Sequence, residues 1–96
     1  MDIENIIPQL KKQLPELSKE YAVKSLGVFG SYVRGEQQHD SDLDLLVSFD
    51  KKPSLLNFIK LENQISDKLG IKVDLVMQSS LKPNIGKRIM EEVVTL

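Results

Sequence analysis

The chain has 96 residues, with 13 basic and 14 acidic side chains, a formal net charge of −1, ordinary apolar content and few aromatics. That length bounds it to one domain, residues 1–96, with a modest core, and the balanced charge supplies no basic footprint for direct nucleic-acid binding. Cysteine is absent, which excludes disulfides and thiolate metals and is expected of a protein in a reducing, cytoplasmic compartment.

No apolar run reaches membrane length, and the opening Met-Asp-Ile-Glu-Asn does not read as a signal peptide. Ile3 to Tyr21 reads as an amphipathic helical region that Pro8 and Pro15 are expected to break or kink. Ser25 to Phe29 is a short apolar strand ending at Gly30-Ser31. Tyr32 to Arg34 then form one helical turn, closed by Gly35. Asp40-Ser41-Asp42 has the composition of a turn, and Leu43 to Phe49 (LDLLVSF) is a strand rich in Leu, Val and Phe. Pro53-Ser54 opens a helix to about Leu69, stopped by Gly70. Within it Leu55, Phe58, Leu61 or Glu62, Ile65 and Leu69 recur at helical spacing and are expected in the core. Ile71 to Met77 alternates as a strand, with Ile71, Val73, Leu75 and Met77 on one face and Lys72, Asp74 and Val76 on the other. A final helix follows Pro83, from Asn84 to Glu92, and Val93 to Leu96 could add a short strand. The expected class is α/β (α+β): a small mixed sheet of three strands with helices packed mainly on one face.

The chemistry concentrates in Gly30-Ser31, ten residues, then Asp42-Leu43-Asp44. Strand alternation puts Asp42 and Asp44 on one face, with Cα atoms roughly 6–7 Å apart. Carboxylates at that range repel, and a divalent cation between them relieves the repulsion. Magnesium suits the pair, because it takes one or two protein carboxylates and completes its shell with water and phosphate oxygens. An isolated Asp-x-Asp is more often a solvated strand edge. A calcium loop starting at Asp40 fails, with Leu45 where glycine is needed and Lys51 where glutamate is needed. Gly30-Ser31 at a strand-to-helix break offers backbone N–H groups and a hydroxyl to an anion, although Gly-Ser alone is a common turn. There is no Walker A pattern and no dinucleotide fingerprint. Asp74 is a charge in the middle of an apolar strand. By itself it reads equally as an edge-strand charge that discourages aggregation, and beside Asp42 and Asp44 as a third carboxylate of one site.

These residues carry a resemblance. Gly-Ser-x10-Asp-x-Asp, with a later Asp on a Val-Asp-Leu-Val strand, resembles the nucleotidyltransferase superfamily related to DNA polymerase beta. GSYVRGEQQHDSDLDLLVSFD more narrowly resembles the minimal nucleotidyltransferase (MNT) antitoxins, over roughly the whole chain. The resemblance implies a minimal nucleotidyltransferase fold and a magnesium-dependent transfer, with two ions and ATP as substrate. Asp42 and Asp44 would bind the metal ions on the triphosphate. Asp74 would complete one metal site and help deprotonate the attacking hydroxyl. Gly30 and Ser31 would hold the β- and γ-phosphates, and Arg34 would stabilise phosphate charge or the acceptor. It implies as partner a HEPN-domain ribonuclease toxin, modified by AMP on a tyrosine.

Two other functions are consistent with the same residues: a binding-only antitoxin that masks its toxin without catalysis, and a nucleotidyltransferase acting on a small molecule. Three clustered carboxylates argue for catalysis over masking. His39, in the loop between the motif halves, reads as solvated. Lys82, Lys87 and Arg88 read as a solvated face from which one side chain could reach a triphosphate, and Tyr32 reads as a packing residue.

Overall fold

In the computed structural model, which describes residues 2–96, the elements run in the order α1 (Ile3–Tyr21), β1 (Val23–Phe29), α2 (Ser31–Arg34), β2 (Leu43–Phe49), α3 (Leu55–Leu69), β3 (Val73–Met77), a single 3₁₀ turn (Gln78–Ser80), α4 (Pro83–Glu92) and β4 (Val94–Thr95). The sheet has four strands in the order β3-β2-β1-β4. β1 runs antiparallel to β2 and to β4, whereas β2 and β3 are parallel. A parallel pair needs a long crossover, and α3 supplies it. The expected C-terminal strand is present, shortened to Val94–Thr95.

The core lies between one face of the sheet and the two long helices. Ile6, Leu10 and Leu17 of α1 and Leu61, Ile65 and Leu69 of α3 meet Leu26, Val28, Leu43, Leu45, Val47, Val73 and Leu75 of the strands. On β2 and β3 the odd-numbered residues face this core, so Asp44 and Asp74 project from the other face. β1 keeps Val23 in the same core through an irregularity in register between Val23 and Ser25, the effect of one extra residue in a strand. The α1–α3 pair is tied by Tyr21, whose hydroxyl donates to Gln64 Oε1 at 2.9 Å.

Two expectations from the sequence are corrected. α1 runs unbroken through Pro8 and Pro15. The carbonyls these prolines leave unpaired belong to Glu4 and Lys11, both on the exposed side where water can replace the lost bond, while Ile6, Leu10, Gln13 and Leu17 hold the other side against the sheet. Leu55 is not core: it is 76% exposed, because it opens α3 where the helix has not yet come over the sheet. Its neighbour Ser54 caps that end, accepting the Asn57 N–H.

α4 stands apart from the other long helices. Ile85, Ile89 and Glu92 border a cavity of about 260 Å³ with Phe29 and Gly30 at the end of β1. Phe29 is buried yet belongs to no part of the main core cluster, so α4 covers one end of the face that carries the aspartates. Val93 crosses the same face so closely that a Cβ on Gly27 would come 2.6 Å from Val93 Cγ2.

Candidate active site

β1 ends at Phe29, which pairs with Asp44 across the antiparallel ladder. The chain then turns at Gly30, whose φ of 81° and ψ of −154° fall in a region that essentially only glycine occupies. The turn also brings the backbone against the Asp44 carboxylate: a Cβ at residue 30 would lie 2.1 Å from Asp44 Oδ2 and 3.2 Å from Asp44 Cβ. Glycine is therefore required twice here, by conformation and by space. Gly30 accepts the N–H groups of Val33 and Arg34, which winds Ser31–Arg34 into one turn, and Gly35 ends it in the left-handed region at φ 69°.

Asp42 lies just before β2, in register with the loop that enters β3. Its side chain is half exposed and comes within 3.8 Å of Lys72 Nζ. Asp44 is the first strand residue whose side chain faces away from the core, and its partner in the parallel ladder is Asp74. Adjacent strands lie about 4.8 Å apart, so the Asp44 and Asp74 carboxylates leave neighbouring positions of one sheet face. Burial, then the charges of Asp74 and Asp42, push the Asp44 carboxyl up to about 6; Arg34 opposes this and Glu92 adds to it. Among the described residues no group of three or more His, Cys, Asp or Glu side chains is disposed to hold a metal ion by itself. The donor set nevertheless fits magnesium, which is satisfied by one or two carboxylates and takes its other oxygens from phosphate and water. A half-buried carboxylate destabilised by neighbouring like charges is relieved by such a cation.

The anion end of the site differs from the sequence expectation in one respect. The Gly30 N–H is donated to Glu92 Oε2 at 2.8 Å, and Arg34 Nη1 is donated to Glu92 Oε1 at 2.7 Å. Arg34 Nε also reaches Glu36 Oε2 at 3.2 Å. Arg34 and the Gly30 N–H hold the Glu92 carboxyl below the usual carboxylate range. Glu92 is the residue sequence reasoning missed. The sequence shows only two adjacent glutamates at a helix end, and the contact joins residues 62 positions apart, which no local spacing reveals.

The other basic and polar residues sort themselves by position. Arg88 borders the Gly30–Glu92 cavity, whereas Lys82 and Lys87 do not. Tyr32 is 5% exposed and part of the core cluster, as a packing residue should be. His39 is exposed in the loop beside Asp42, on a separate cavity of about 620 Å³.

This geometry has known counterparts. A family model described as nucleotidyltransferase domain matches residues 7–96. Protein adenylyltransferase MntA of Thermococcus cleftensis is 53% identical over 93 residues, spanning 97% of this chain and 91% of that protein. A solved structure assigned to the minimal nucleotidyltransferases shares 34% identity and a TM-score of 0.84, covering 100% of this chain and 97% of the other. A chain from the complex of tri-AMPylated Shewanella oneidensis HEPN toxin with its MNT antitoxin shares the fold at a TM-score of 0.69 and 18% identity, covering 94% of this chain and 70% of that one. The carboxylate face, the glycine turn and these matches along nearly the whole length lead to one assignment: the chain belongs to the nucleotidyltransferase domain family.

Proposed function

We propose that this protein is a magnesium-dependent protein adenylyltransferase that acts as an antitoxin, moving AMP from ATP to a tyrosine of a HEPN ribonuclease partner. The observation that carries the reading is the Asp44 carboxylate, set against Gly30 and flanked by Asp42 and Asp74. The 53% identity to a protein adenylyltransferase supports the same class of acceptor, and the HEPN–MNT complex of the same fold supports the kind of partner.

Asp42 and Asp44 would hold magnesium together with the triphosphate oxygens. When bound, the metal, as two ions in this reading, supplies positive charge to the triphosphate and to the departing pyrophosphate. Gly30 lets the triphosphate approach the backbone, and Ser31 offers its hydroxyl to the β- and γ-phosphates. Arg34 adds charge to the same end. Asp74 faces the acceptor hydroxyl and takes its proton. The acceptor oxygen forms a bond to the α-phosphorus, the bond from that phosphorus to the β-phosphate bridging oxygen breaks, and pyrophosphate leaves. Such transfers depend on positioning and charge more than on covalent help from the protein.

Labelled ATP, magnesium and a candidate HEPN partner test this. Label should appear on the partner protein and its ribonuclease activity should fall, and Asp42→Ala with Asp44→Ala should abolish both. Neutralisation that survives the double substitution would overturn the catalytic reading in favour of masking, and label found only on a small molecule would overturn the protein acceptor.

A further inference from the structure

Glu92 bridges the two halves of the glycine turn. One carboxylate oxygen takes the Gly30 N–H and the other takes Arg34 Nη1. Glu36 holds Arg34 from the Nε side. The guanidinium is thus fixed at two of its three nitrogens, and Nη2 has no protein partner among the described residues. The Glu92 side chain is 23% exposed, against 48% for Arg34 and 61% for Glu36, so it is the more sheltered of the two acidic contacts and the one with the better geometry. Charge-assisted hydrogen bonds of this length are the stronger kind, and they fix orientation as well as adding energy. The Gly30 amide, held this way, sets the entry of the chain into α2, and with it the direction in which Ser31 and Arg34 face.

A carboxylate at this place has two possible consequences. It could occupy ground a triphosphate needs, or it could hold the turn in the form a triphosphate meets. The bonding favours the second. Glu92 borders the cavity it shares with Ile85, Ile89 and Phe29, and it consumes one Arg34 nitrogen while leaving another open. The carboxylate also draws α4 across the end of β1, which joins the phosphate end of the site to the C-terminal part of the sheet.

We propose that Glu92 is a positioning residue for nucleotide binding: it orients Arg34 and the Gly30 peptide toward the triphosphate of ATP and acts through them, without touching the nucleotide. The inference rests on the transferase reading above, with Arg34 as a phosphate contact. Steady-state AMP transfer by the full chain, with ATP varied at saturating magnesium and partner, separates the possibilities. Glu92→Ala should raise KM for ATP about tenfold while kcat changes less than about threefold, since misoriented phosphate contacts weaken binding. Glu92→Gln retains an acceptor for the Gly30 N–H and should recover part of the loss, and it serves as the test if the alanine variant does not fold. In an Arg34→Ala background the Glu92 substitution should raise KM by a smaller factor than in the wild type, the remainder acting through the Gly30 peptide, because coupled residues are not additive.

An unchanged KM in both Glu92 variants would overturn the inference. So would a lowered KM, which would show the carboxylate competing with the triphosphate, or full additivity with Arg34→Ala. A wild-type chain that transfers no AMP at all would overturn the transferase reading, and this inference with it. Wild-type transfer with unaltered Glu92 variants would overturn this inference alone.

Discussion

Asp44 pays for its place in the site with stability. Its carboxyl is pushed from 3.8 up to about 6 by burial and by Asp74 and Asp42, so the folded chain keeps this proton to higher pH than the unfolded chain. Stability from this group is therefore complete below about pH 4 and is lost as pH rises toward 6. For a half-exposed group, discounted for solvent screening, the loss is about 1 kcal/mol at neutral pH. Asp44→Asn should then raise the melting midpoint by about 4–8 °C near pH 7.5 and leave it unchanged near pH 3.5; a midpoint equally raised at both would refute the electrostatic origin. Millimolar magnesium should stabilise the wild-type chain and not the variant in the same melting experiment. Asp44 and Asp74 were legible in the sequence because strand alternation is a local rule, and a charge in an apolar alternation declares its face. Glu92 was illegible because its partners, adjacent in the fold, lie 62 and 58 positions away along the chain.

At the scale of elements, local signals marked where helices and strands begin and end better than they marked what each element covers. Ser54 and Gly70 bound α3 as their residue types predict, yet helical spacing alone placed Leu55 in the core. Spacing defines a stripe along a helix; it does not say how far the neighbouring sheet extends beneath it. The prolines of α1 misled for a related reason, since their cost depends on which side of the helix the orphaned carbonyls face. The central strand shows how much rests on packing. Leu45 has no exposed surface and sits between the β1 and β3 neighbours Val28 and Leu75. Leu45→Ala should cost about 2–5 kcal/mol, measured as a shift in urea midpoint at constant slope. A loss under about 0.5 kcal/mol would mean that the site collapses to fill the gap. A more local device operates at the open edge of β3, where Glu62 Oε2 accepts the Leu75 N–H at 2.8 Å. The sequence left open whether Leu61 or Glu62 faced inward: Leu61 enters the core and Glu62 covers the strand edge.

Taken whole, the molecule has a polarised sheet: one face is closed by α1 and α3, and the other carries Asp44 and Asp74, with α4 beside the end of β1. The fold class followed from apolar patterning; the four-strand order β3-β2-β1-β4 did not, because it depends on which strand edges meet across the crossover. Acceptor and partner did not, because they depend on a surface whose complement lies on another protein. Charge gives one testable statement at this scale. With 13 basic against 14 acidic side chains, the chain should not retard single- or double-stranded RNA at about 150 mM salt, where binding draws on phosphate contacts by clustered Lys and Arg. Salt-sensitive retardation with a steep slope would contradict it. Any effect on a ribonuclease partner should then act on that enzyme and leave its RNA uncovered.

The fit of Gly30 against Asp44 has a consequence for inheritance. Residue 30 can be neither enlarged nor given another backbone form without displacing a carboxylate of the site, whereas a Cβ on Gly35 would meet nothing within 4 Å. In a library randomised at both positions and selected for transfer activity, position 35 should return asparagine as well as glycine, while position 30 should return glycine alone. Recovery of active Gly30→Ala clones would show that the turn and the carboxylate can move apart. The variation open at position 30 is thus limited by a neighbour's oxygen, which occupies the place where a side chain would be.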